Sequence, residues 1–212
     1  MFCRIVLAVP ALAHGSQENS YKPFLLVASP DMPDPIFQQT VILMLPSTEP
    51  PLVAGIVINK PTKMTVGQLF SHAALLKNQS QSVYFGGPVA LTSPIILLRA
   101  AQATDATTRL FENVYIDTDA GSIGDFLKRQ KSNENTRLFL GRAQWTADQL
   151  HAEMLQGAWT VSDASPDLIF SSDPTKIWRT LVQKAKLREI ILESGDFTKI
   201  SPREIRITAV YK

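Results

Sequence analysis

Cysteine is almost missing from this chain: Cys3 stands alone among 212 residues. One cysteine cannot make an intrachain disulfide framework or a paired-cysteine metal knuckle. Histidine is nearly as scarce. His14, His72 and His151 share no HxxxH or HxH spacing, so neither a metal centre nor a cofactor is expected. No uninterrupted apolar run reaches the ~18–20 residues of a spanning helix, so no membrane span is expected. An excess of one charge is missing too, with 21 Lys and Arg against 19 Asp and Glu. The densest basic stretch, Lys184, Lys186 and Arg188, is broken by Glu189 and Glu193 and reads as a solvated helix end. A nucleic-acid binder concentrates its basic residues in a footprint, and this balance disfavours one. The 45% hydrophobic content is enough for one substantial core.

Familiar catalytic signatures are lacking as well. There is no G-x-S-x-G elbow, and Ser29 is followed by Pro30, which removes the next backbone N–H that an oxyanion hole would need. Gly86-Gly87-Pro88 matches neither phosphate-binding glycine pattern, and Pro88 takes an amide out of any cradle. Asp31 with Asp34, and Asp117 with Asp119, have carboxylate spacing suited to acid–base work but an ordinary explanation as turn residues.

What is present begins with a leader-like N-terminus. Arg4 precedes the apolar stretch Ile5–Ala13, and Ala11-Leu12-Ala13 fits a cleavage site before His14. This predicts a signal peptide at 1–13, a polar segment at 14–23 and export to the periplasm or beyond. The alternative is a buried N-terminal strand in a cytoplasmic protein.

Beyond it, apolar runs bounded by Pro and Gly predict strands at Phe24–Ala28, Val41–Leu45, Val53–Ile58, Val83–Phe85, Ile95–Leu98, Val114–Asp117, Leu138–Leu140 and Trp159–Val161. Pro30, Pro33 and Pro35 exclude helix and central strand between the first two. Thr65-Val66-Gly67-Gln68 and Thr146-Ala147-Asp148-Gln149 have capping-box spacing and predict two helices, the second stopped by Gly157. Ser122 is read as the cap of a helix carrying Ile123, Phe126 and Leu127. Asp173-Pro174 is read as the start of another, with Ile177, Trp178, Leu181 and Val182 on its buried side. Ile190–Glu193 and Ile205–Val210 are read as strand-like.

Several strings, taken in order, resemble one family. They include Phe24-Leu25-Leu26-Val27-Ala28-Ser29-Pro30, Asp34-Pro35-Ile36-Phe37, Gly55-Ile56-Val57-Ile58-Asn59-Lys60-Pro61 and Tyr84-Phe85-Gly86-Gly87-Pro88. Leu140-Gly141-Arg142-Ala143 with Trp145, Gly157-Ala158-Trp159 and Trp178-Arg179 continue the series. Their order and spacing resemble the YqgE/AlgH family of bacterial proteins over about residues 24–182. The resemblance implies a mixed α/β (α+β) fold whose strongly curved, bifurcated sheet rolls into a pseudo-barrel with flanking helices. It brings a customary label of transcriptional regulator and no catalytic residues. Residues 183–212 then form a C-terminal extension packing on the same domain.

Asn59-Lys60-Pro61 and Gly86-Gly87-Pro88 each follow a strand, and both read first as strand-exit turns. A functional reading puts the two turns at one end of the sheet. Asn59, Lys60, Gly86, Gly87, Arg142 and Trp145 would there form a shallow surface for an anion or a peptide, with Lys60 as a point charge and Trp145 as a stacking face. The expected function is a non-catalytic binding or regulatory module whose partner is another protein or a small anionic ligand. An enzyme of unrecognised type and a DNA-binding transcriptional regulator are the alternatives.

Overall fold

Strands buried on both faces read as unbroken apolar runs rather than alternating ones, and the first strands of this chain do so for that reason. The structure, a computed structural model, describes residues 23–46, 50–102, 107–129 and 135–194. In β1 (Phe24–Ala28), Leu25 and Val27 enter an inner core while Leu26 and Ala28 enter an outer one. β2 (Val41–Met44) and β3 (Leu52–Val57) divide their side chains the same way. Gly55 lies in β3 because Ile42 and the Leu43 carbonyl occupy the space a Cβ would need.

Five more strands follow: β4 (Pro61–Thr65), β5 (Ser82–Phe85), β6 (Val89–Arg99), β7 (Thr108–Phe111) and β8 (Val114–Asp117). β9 (Thr136–Thr146) and β10 (Trp159–Asp163) complete the sheet. The strand order is β10-β1-β2-β3-β9-β6-β8-β7, antiparallel throughout. β5 adds to β9 in parallel, and β4 pairs with β5.

β9 is the fork. Its first half pairs with β5 and β6, and its second half, Ala143–Thr146, pairs with β3. Between the halves Gly141 takes φ +74, a conformation that L side chains resist. The result is a mixed α+β fold with a strongly curled, bifurcated, half-barrel sheet, as the resemblance implied. The inner core, with Leu25, Leu43, Ile56, Leu97 and Phe139, fills the curl. One outer core, with Ile96, Leu98, Ile123, Leu127 and Leu138, lies under α2 (Ala120–Arg129). The other holds Leu26, Ile42, Trp145, Leu150 and Trp159, with Leu150 supplied by α3 (Ala147–Leu155). Each fully buried aliphatic side chain of this kind contributes about 1.5–3 kcal/mol.

Both capping boxes form. Thr65 caps α1 (Val66–Leu69) through Gln68, and Thr146 caps α3 through Gln149. Gly157, at φ +75, ends α3, and the Ala158 amide bonds back to the Glu153 carbonyl. The short α4 (Pro166–Ile169) is capped by Ser165. A 3-10 turn, Pro174–Lys176, leads into α5 (Ile177–Ser194), where Ile177 and Leu181 are buried. Trp178 Nε1 donates to the Ala28 carbonyl at 2.7 Å and ties α5 to β1. Arg137 holds α4 to the sheet: its guanidinium lies over Tyr84 and Phe170, and Nη2 donates to Ser171 O at 3.0 Å.

Some expectations change. The α2 cap is Asp119, whose Oδ1 accepts the Ser122 amide at 2.8 Å; Ser122 lies inside the helix and its hydroxyl donates to Asp117. Asp173 makes no side-chain capping bond, because its carboxylate is taken by Thr175 and Lys176. β6 begins six residues before Ile95, and β9 continues through Gly141 instead of ending there. Ile190–Glu193 continues α5 and is helical, not strand. β4, β7 and α4 are additions to the sequence reading. The leader reading at 1–13, the segment 14–22 and Ile205–Val210 lie outside the described residues.

Candidate functional site

Asn59 holds the first turn together. It is 5% exposed, and its Oδ1 accepts the Val41 amide at 2.8 Å while Nδ2 donates to the Gln39 carbonyl at 2.9 Å. Ile58 still pairs with Val41 through its amide. The Asn59 side chain thus supplies the next rung of the ladder where the backbone leaves it. Gln39 has φ +56, so the residue that Asn59 grips is in the left-handed region.

The β1–β2 loop hangs on that grip. Asp34 Oδ1 accepts the Ile36 amide at 2.8 Å, an Asx turn, and Thr40 Oγ1 donates to Phe37 O at 2.7 Å. Phe37 folds back onto the outer aromatic core. It stacks on Trp145 with centroids 5.7 Å apart and meets the edge of Trp159 at 5.6 Å. Trp159 Nε1 in turn donates to Glu153 Oε2 at 2.7 Å.

Lys60 reaches over this loop. Its Nζ donates to the Ile36 carbonyl at 3.2 Å. Partial burial disfavours the charged form and pushes its pKa below the ordinary 10.5. The Ile36 side chain beside that carbonyl is 46% exposed, so an apolar group and a partly desolvated ammonium share one surface.

The second turn works through bare backbone. The Gly86 amide donates to Leu140 O, and its carbonyl accepts from Val57 N, both at 2.8 Å. Gly86 therefore stitches β3 to β9 inside the fork. Gly87, at φ +148, lies against the backbone of Arg142 and Ala143, and Gly141 lies against the Gly87 carbonyl. A Cβ at Gly86, Gly87 or Gly141 would strike backbone. The Phe85 amide donates to Lys60 O at 2.9 Å, which joins this turn to the first.

The two turns thus come together as expected, and Asn59, Lys60, Gly86 and Gly87 are neighbours through backbone bonds. The other two candidates divide. Arg142 and Trp145 are separated by an odd step on β9 and project to opposite faces. Arg142 Nε donates to Gln144 Oε1 at 3.0 Å, on the face away from Ala143 and Trp145. Trp145 is 6% exposed and already stacked on Phe37, so it is a core residue and offers no face to a ligand. The alternation of Arg142, Ala143, Gln144 and Trp145 carried that information. Ile36 and Phe37 were visible only as part of the Asp34-Pro35 turn string, because no local pattern shows what a loop folds onto. Among the described residues, His72 and His151 are exposed, and no group of three His, Cys, Asp or Glu side chains is placed to hold a metal.

Comparison with known proteins agrees with this fold. The AlgH-like family model, DUF179, matches residues 25–189. A UPF0301 protein of Thermobifida fusca is 30% identical over 173 residues, covering 76% of this chain and 84% of the relative. One from Vibrio vulnificus is 31% identical over 166 residues, covering 74% and 88%. The solution structure of the AlgH protein from Pseudomonas aeruginosa is similar in fold, with a TM-score of 0.62 at 23% identity over 86% of this chain and 93% of that one. A crystal structure from Corynebacterium diphtheriae gives 0.61 at 26% identity, covering 76% and 85%.

Proposed function

The chain belongs to the AlgH-like family, and from its geometry we propose that it is a non-catalytic binding module whose contact surface is the β1–β2 loop with Lys60. The observation that carries this reading is the Lys60 ammonium. It has three donors, of which the Ile36 carbonyl takes one, and it is partly withdrawn from water beside the exposed Ile36 side chain. A charge in that setting is screened less than one on an open surface. An incoming carboxylate flanked by an apolar residue satisfies both groups together, which fits a protein segment better than a bare ion.

In this reading Asn59, Gly86 and Gly87 shape the surface without touching the partner. Affinity capture from the native host with wild-type and Lys60→Ala baits, compared by mass spectrometry, tests it. Partners held by the wild type should be missing from Lys60→Ala, while the two proteins melt within about a degree of each other. An unchanged partner set, or a large fall in melting temperature, would sink the reading.

The export signal at 1–13 belongs to the same proposal and places this surface outside the cytoplasm, where direct transcriptional control has no target. Cell fractionation with N-terminal sequencing checks it, the expected mature start being His14.

A further inference from the structure

β10 closes one end of the sheet, and among the described residues its ladder partner is β1. The register shows which of its backbone groups face outward. The Ser29 amide donates to the Ala158 carbonyl, so that pair is a hydrogen-bonded one. Antiparallel ladders alternate bonded and non-bonded pairs. Val27 with Thr160 and Leu25 with Ser162 are then bonded pairs, while Ala28 with Trp159, Leu26 with Val161 and Phe24 with Asp163 are not. The N–H and C=O groups of Trp159, Val161 and Asp163 therefore point away from β1.

Edge strands are ordinarily protected by lysine, proline or a bulge. Trp159–Asp163 contains no lysine and no proline, and its register against β1 is continuous. Val161, at the centre of the edge, is 49% exposed, and Leu155 at the end of the preceding α3 is 76% exposed.

We propose that this edge is a self-association surface, with β10 of a second copy added antiparallel about a twofold axis through Val161. The symmetry fits the outward groups. Val161 would exchange both backbone bonds with Val161 of the second copy, and Trp159 would exchange them with Asp163 of that copy in each direction. Every outward group then has a partner. The charged residue of each strand faces a tryptophan backbone instead of its own like charge. An isologous contact of this kind uses the β10 edge of both copies and so closes at a dimer.

The test uses the full chain. Sedimentation over a wide concentration range should show a monomer–dimer equilibrium for the wild type. Hydrogen exchange should show the Val161 and Asp163 amides protected only at high concentration. Val161→Pro removes the one outward N–H at the centre and spares the β1 ladder, and Val161→Lys adds an edge charge. Both should stay monomeric across the range with melting temperatures near that of the wild-type monomer. A wild type that is monomeric throughout overturns the proposal, as does a dimer that survives both substitutions. Amide protection independent of concentration would assign the edge to the chain's own remaining residues and overturn it equally.

Discussion

The two turns that mark this sequence hold the same fork by opposite means. Asn59-Lys60-Pro61 works by what its side chains add: Asn59 supplies a ladder rung to Val41 and Gln39, and Lys60 reaches the Ile36 carbonyl. Gly86-Gly87-Pro88 works by what its residues lack, since this turn lies so close to β9 that a single Cβ would meet backbone. One turn therefore tolerates any change that preserves its hydrogen bonds. The other tolerates almost none. A turn built on side chains can also carry an exposed functional group, whereas one built on backbone contact is buried by its own design.

Substitutions can break or sharpen that contrast. The largest loss is expected for Gly87→Ala, where a Cβ meets the Arg142 and Ala143 backbone. It should cost about 3 kcal/mol or more, read as a collapse of the urea midpoint or failure to obtain folded protein. Gly157→Ala is the control, also at a positive φ (+75, against +148 at Gly87) but with nothing within 4 Å, and should cost only about 1–2 kcal/mol. If the two substitutions cost the same, close packing is not what distinguishes the fork.

Asn59→Ala should come next, at about 2–3 kcal/mol, because it strands the buried Val41 amide as well as losing its own two bonds. Asn59→Asp keeps the acceptor for Val41 but turns a carboxylate oxygen toward the Gln39 carbonyl at a buried site, so its urea midpoint near neutral pH should also fall well below that of the wild type.

Lys60→Ala should have the smallest effect on stability, within about 0.5 kcal/mol near neutral pH. Its signature is a slope. The folded-state pKa of Lys60 lies below the ordinary 10.5, so between the two values the unfolded chain binds more protons. The desolvation penalty on the charged form is fully present below the lowered pKa and is relieved as pH rises through the window up to 10.5. Wild type should thus gain on Lys60→Ala as pH climbs toward 10.5, and a difference that moves the other way would refute the desolvation argument.

Much of the fold was readable because its central strands are apolar on both faces. Phe24–Ala28 and Val114–Asp117 match β1 and β8 to the residue, and both threonine–glutamine boxes cap the helices they predict. β4 escaped because Pro61–Thr65 is largely exposed and opens on a proline, so it carries no apolar pattern. In β6, Thr92, Ser93 and Pro94 conceal the pairing of Val89 with Arg142 behind an apparent loop. Gly141 looked like a stop because glycine weakens a strand interior, yet here it bends one between the two arms of the fork. Ile190–Glu193 is apolar enough for either structure, and continuation of the Ile177–Leu181 helix decided it. Of the six candidate residues, four meet at the joined turns. The remaining two are split by strand alternation and by Phe37, which no nearby residue in sequence announces.

The fork at β9 also sets the order in which this protein can be assembled. β3 and β6 both take their neighbour from residues 136–146, and β1 waits still longer for β10. During synthesis the first two thirds of the chain therefore emerges with its most apolar strands incompletely paired, and neither half of the sheet can finish before the other. A break between the halves cannot yield two self-sufficient pieces, because each would claim the same strand.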